Sequence, residues 1–223
     1  MGQQIKNKTT QVKSGKMADI MFCIDNSGSM SSCIAGVRST VSEFVTSLEA
    51  GVQGQAPVDW QIGLLSYSQA EFLFLDLSKD TSSFKGKLGQ EVSGGDEFTP
   101  GAIDYAISNA TWRMGAQRVI VVFTDETIRT GSGGQDGFDK LLKKIVDANI
   151  QIIYYGPGCD YYKQFEKCPK AEVNIVSSFS GVNFNNLMLR LAVTVSSGSL
   201  FANQQPVTKE LVYNLSGIGI KKV

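Results

Sequence analysis

The chain is punctuated by short apolar stretches, and most are followed by turn residues and then by a helical pattern. Residues 118–124, RVIVVFT, are the most hydrophobic of these stretches. Such a run is the length of a strand buried on both faces and far too short to span a membrane as a helix. Residues 18–24, ADIMFCI, read the same way and end in a Ser/Gly cluster. Val58 to Ser68, Glu71 to Leu77, Ile150 to Tyr155 and Glu172 to Val176 supply the other strands.

Helical spacing fills the intervals. Ile34, Val37, Val41, Phe44, Val45 and Leu48 mark a helix from Cys33 to Leu48, stopped by Gly51. A short helix falls within residues 79–90. Thr99 reads as the cap of a helix that starts at Pro100 and runs to about Met114. Leu141, Leu142, Ile145 and Val146 mark another, after a glycine-rich loop from Gly131 to Gly137. Leu187, Leu189, Leu191, Ala192 and Val195 mark the last, from Asn183 to about Ser196. Strands alternating with helices predict an α/β domain, doubly wound, with a mostly parallel central sheet and helices on both faces. The short step from residue 68 to 71 predicts a hairpin, with 71–77 as one antiparallel edge strand. The domain is expected to span residues 17–197. Residues 1–16 read as a flexible leader. Residues 198–223 read as a C-terminal tail that adds a strand or docks onto a partner.

Composition removes whole classes of chemistry. There is no histidine, so a Ser-His-Asp triad, a Cys-His dyad and a histidine-bound metal are excluded. Lysine plus arginine number 21 and aspartate plus glutamate 21, so no whole-domain basic field attracts nucleic acid. Four cysteines lack the C-x₂-C spacing of a zinc site and read as free thiols, with Cys159 and Cys168 the pair able to bridge. No apolar run reaches the length of a membrane span. The first sixteen residues carry lysines without an apolar core, and Lys6 breaks a myristoylation pattern, which favours a cytoplasmic chain. No phosphate-binding loop of the G-x-x-x-x-G-K-S/T form occurs.

Open α/β sheets bind ligands at the carboxyl ends of their strands. There the sequence places Asp25-Asn26-Ser27-Gly28-Ser29 after the first strand, Thr124-Asp125-Glu126 after the most hydrophobic one, and Thr99 before the middle helix. In an extended or turning segment Asp25, Ser27 and Ser29 face one point, with Gly28 allowing a tight turn. Aspartate and serine are common in turns and caps, so D-x-S-x-S alone says little. The combination of Asp25, Ser27, Ser29, Thr99 and Asp125, each at a strand end, makes a set of two carboxylates and three hydroxyls. Hard oxygen donors of this kind suit Mg²⁺, Mn²⁺ or Ca²⁺.

DNSGSM after an apolar strand, TPGAI opening a helix and VIVVFTDE closing a strand resemble the von Willebrand factor A family over roughly residues 17–197. The resemblance implies a Rossmann-like fold carrying a metal-ion-dependent adhesion site (MIDAS). It would make Asp25, Ser27 and Ser29 the first-loop ligands, Thr99 the second-loop ligand, and Asp125 the third, often through water. Two departures stand out. Glu126 occupies a position the family commonly gives to glycine, and Asp96 or Glu97 could take the place of Thr99. The function implied is non-enzymatic: a metal-dependent protein–protein interaction module whose cation binds an Asp or Glu of a partner protein. The resemblance further suggests an intracellular, stand-alone member working beside an ATPase, kinase or phosphatase, as in bacterial tellurite-resistance and stress systems. Two alternatives are a metal-dependent phosphatase-like hydrolase and a structural subunit with a regulatory metal site. Tyr154, Tyr155, Tyr161 and Tyr162 read as a cluster half in the core and half at the surface, able to contact a partner. Lys143-Lys144 and Lys221-Lys222 read as solvated charges.

Overall fold

The computed structural model of the chain describes residues 16–68, 71–92, 98–127, 134–198 and 219–223. Seven strands form one sheet: β1 Lys16–Asp25, β2 Val58–Tyr67, β3 Glu71–Ser78, β4 Gln117–Phe123, β5 Ile150–Gly156, β6 Ala171–Ile175 and β7 Gly219–Lys222. Their order is β6-β5-β4-β1-β2-β3-β7. β1 pairs in parallel with both β2 and β4, and β4, β5 and β6 continue in parallel. β2 and β3 pair antiparallel, as the short connection predicts. β3 is not the edge, however. The end of the tail lies outside it as β7, parallel to β3, with Lys221 Nζ 3.0 Å from Glu71 Oε1. Residues 199–218 of the tail and 1–15 of the leader lie outside the described residues, while Lys16, read as the end of the leader, is the first residue of β1.

Among the described residues six helices cover the sheet: α1 Ser31–Ala50, α2 Thr81–Lys87, α3 Thr99–Asn109, α4 Gly134–Asp147, α5 Asp160–Lys163 and α6 Phe184–Ser197. Alternate residues of β1 enter two separate cores. Ala18, Ile20, Phe22 and Ile24 pack with α1, α2 and α6, whereas Met21 and Cys23 pack with α3 and α4. Burial on both faces is why the central strands read as continuous apolar runs. Gly36 of α1 has the Phe184 ring where a Cβ would stand, so α1 and α6 lie close together. No helix among the described residues is long and apolar enough to cross a membrane.

Three sequence expectations change. α3 ends at Asn109, not near Met114, because tertiary partners take the next residues. The Thr111 N–H and hydroxyl both donate to Asp76, and the Arg113 N–H and guanidinium donate to the fully buried Asp19. A helix could not deliver those groups there. The stretch between β5 and β6, where the sequence reading placed no element, holds α5 and the 3₁₀ turn Gln164–Lys167, each four residues long and too short to register as periodicity. Lys144 is not solvated: it is 8% exposed and its Nζ lies 2.6 Å from Asp104 Oδ1 and 2.6 Å from Ser108 Oγ, joining α4 to α3. Its neighbour Lys143 does face solvent, paired with Asp147.

Deleting one partner of a buried ion pair strands the other charge, typically at a cost of about 3–5 kcal/mol. Lys144→Ala should lower the unfolding free energy by about that amount in urea titrations. Adding Asp104→Asn to Lys144→Met should recover most of it.

Candidate metal centre

β1 is flanked by β2 on one side and β4 on the other, so the chain leaves it in opposite directions at its carboxyl end. This is the switch point where open α/β sheets leave a crevice. Asp25 closes β1 there and is fully buried. Its Oδ1 accepts the Ser27 N–H at 2.8 Å, and its Oδ2 accepts the Thr124 hydroxyl at 2.8 Å. Burial pushes the Asp25 carboxyl up from 3.8 to about 6. The bonds from Ser27 and Thr124 pull it down, and the nearby Asp125 charge adds to the rise.

After Asp25 the chain enters a 3₁₀ turn, Gly28–Met30, that leads into α1. The turn presents Ser27 Oγ and Ser29 Oγ 2.9 Å apart. Ser29 Oγ donates to Asp125 Oδ1 at 3.2 Å, across from the end of β4. Asp25, Ser27, Ser29 and Asp125 therefore join one network, as the spacing predicts. Gly28 has no positive φ, and nothing lies within 4 Å of where its Cβ would be. The turn does not need glycine's freedom; the residue leaves open space beside the hydroxyls.

Thr99 is placed differently from the reading as a cap. It is the first residue of α3, and Phe98 stands at the N-cap before it. Its hydroxyl instead lies 2.8 Å from the Tyr67 hydroxyl, both groups buried. The Asn26 N–H donates to the Tyr67 carbonyl at 3.0 Å, tying the same tyrosine to the first loop. Asp96 and Glu97 lie outside the described residues. Glu126 is half-buried, and its N–H donates to Thr124 Oγ1 at 3.2 Å.

Two supporting residues were not singled out from the sequence. Thr124 was visible only as the residue before Asp125, and Tyr67 only as the end of an apolar strand. Gly156 supports Thr124 from beneath: a Cβ there would stand 2.6 Å from the Thr124 carbonyl oxygen. The tyrosine cluster belongs mainly to the core. Tyr154, Tyr155 and Tyr162 are buried, and only Tyr161 is half-exposed. All four cysteines are free, and among the described residues no three His, Cys, Asp or Glu side chains gather.

The donor set fits a small divalent cation. Oxygens on adjacent corners of an octahedron with metal–oxygen bonds of about 2.1 Å lie about 3.0 Å apart. The Ser27–Ser29 and Ser29–Asp125 separations of 2.9 and 3.2 Å match that spacing.

The sequence matches the von Willebrand factor type A domain over residues 19–188. It is 26% identical to the collagen alpha-2(VI) chain of Gallus gallus over 159 residues, which is 65% of this chain and 15% of that one. The SpRpn10 VWA domain superposes with a TM-score of 0.60 at 15% identity, covering 82% of this chain and 99% of its own. Proximal thread matrix protein 1 from the mussel byssus, in a form described as having a zinc-occupied MIDAS motif, superposes with a TM-score of 0.55 at 16% identity. That match covers 80% of this chain and 46% of the mussel protein. The chain thus spans under half of the collagen and mussel proteins, and the structural likenesses speak for the fold alone. The match over residues 19–188 covers most of the sequence, and the chain belongs to the von Willebrand factor type A domain family.

Proposed function

We propose that the chain is a metal-dependent protein-binding module without catalytic activity. Asp25, Ser27, Ser29, Thr99 and Asp125 hold a divalent cation, Mg²⁺, Mn²⁺ or Ca²⁺. The cation's open position takes an Asp or Glu carboxylate from a partner protein. The observation that carries this reading is the convergence of Asp25, Ser27, Ser29 and Asp125 at the β1/β4 switch point, with oxygens at octahedral spacing. The solved mussel relative with a zinc-occupied MIDAS supports it by analogy. A cytoplasmic setting beside an ATPase, kinase or phosphatase belongs to the same proposal, and the four free thiols accord with a reducing compartment.

Each side chain has a distinct task. Ser27 and Ser29 offer neutral oxygens, half-buried and exposed respectively, at the mouth of the site. Asp25 supplies negative charge from below, held in one orientation by Thr124 and the Ser27 N–H. Asp125 supplies the second charge from the β4 side. Two carboxylates only balance a divalent ion, and three hydroxyls leave it attractive to a further anion. Open space beside Gly28 leaves that approach clear. Hydrolysis through a phosphorylated aspartate lacks support here: Asp25 is fully buried with both oxygens bonded, and serine stands where a second carboxylate would act as general acid.

Calorimetric titration of chelator-treated protein should give saturable, one-site binding of Mg²⁺ and Mn²⁺. Asp25→Ala should abolish it, as should Ser27→Ala combined with Ser29→Ala. A wild type that takes up no divalent cation overturns the proposal.

Protons compete for Asp25. Affinity for Mn²⁺ should be flat above about pH 7 and fall roughly tenfold per unit below about pH 6, where the carboxyl protonates. In metal-free protein the raised folded value means that Asp25 stabilises when protonated. That contribution is full below the ordinary value of 3.8 and is lost as pH rises through about 6. Without metal, Asp25→Asn should therefore melt above wild type at pH 7.5, and the gap should close near pH 4. A gap that widens on acidification contradicts the assignment.

A further inference from the structure

The geometry points to Tyr67 as a positioning residue for the metal centre: its phenol oxygen takes the Thr99 hydroxyl proton and so turns the Thr99 lone pairs toward the cation. This inference rests on the metal-centre reading above. A neutral hydroxyl that coordinates a metal must send its proton to an acceptor elsewhere, and the direction of that bond fixes where its lone pairs point. Thr99 Oγ1 and Tyr67 Oη are 2.8 Å apart, with Thr99 1% exposed and Tyr67 fully buried. At that depth the phenol is the acceptor at hand for the Thr99 proton. Phe98, not Thr99, stands at the N-cap of α3, and the contact made by the Thr99 hydroxyl is the one to Tyr67.

Tyr67 is fixed from two sides. It pairs with Asp25 in the β1–β2 register, and its carbonyl accepts the Asn26 N–H. Tyr67 therefore links the start of α3 to the first loop. No motif marks this residue; it closes an apolar strand, where tyrosine passes as core.

The test is Mn²⁺ titration of wild type, Tyr67→Phe, Thr99→Ala and the double variant. Loss of an orienting partner typically weakens metal binding by about 10–100-fold. Tyr67→Phe should fall within that range, and the same change made in Thr99→Ala should have no further effect. A merely structural tyrosine would lower stability without this coupling. Mn²⁺ should also perturb the near-ultraviolet absorption of a tyrosine in wild type, and metal-saturated Thr99→Ala should lack the change. This readout holds even if Tyr67→Phe folds poorly. Wild-type affinity in folded Tyr67→Phe, additive effects in the double variant, or a tyrosine signal that persists in Thr99→Ala would each overturn the role of Tyr67 while leaving the metal centre intact. A wild type that binds no Mn²⁺ would remove the metal centre itself, and this role with it.

Discussion

The carboxylate of Asp25 organises the site. It sits at the end of the central strand, out of contact with solvent, between neighbours that diverge to either side. A charge in that position is costly unless it is hydrogen-bonded and paired. Two of its bonds come from the protein, one from the loop that follows it and one from Thr124 at the end of the adjacent strand. Among the described residues no lysine or arginine forms an ion pair with it, and burial and the Asp125 charge raise its carboxyl. A carboxylate held in this way is poised for a cation.

The rest of the architecture serves that position. β1 lies at the middle of the sheet, paired in parallel with β2 on one side and β4 on the other. Two separate apolar cores clamp its faces and leave its end rigid. Gly156 lets β5 come close beneath Thr124, and the Tyr67–Thr99 bond fixes the start of α3. At the opposite end, Arg113 ties Asp19 of β1 to Asp59 of β2. β1 is thus anchored by polar contacts at both ends and by apolar packing between them.

The fold was largely legible in the sequence, since strands such as RVIVVFT are continuous apolar runs when both faces are covered. What escaped was tertiary in origin. The end of α3 depends on Asp76 and Asp19, which lie far away in sequence. The burial of Lys144 depends on Asp104, forty residues earlier. The outermost strand, β7, belongs to the tail expected to add a strand or dock onto a partner, but it is short and exposed, so no apolar pattern marks its bounds. In the site, Asp25, Ser27, Ser29 and Asp125 could be read because their positions follow strand ends. The surroundings of Thr99 could not, because its partner is a tyrosine on another strand that looks like ordinary core.

The most direct measurement is anomalous diffraction from crystals soaked in Mn²⁺. The account predicts one strong peak at the carboxyl end of β1, about 2.2 Å from both Ser27 Oγ and Ser29 Oγ, with Asp25 and Asp125 around it. No peak at that position, with Ser27 and Ser29 still bonded to each other and to Asp125, would contradict it.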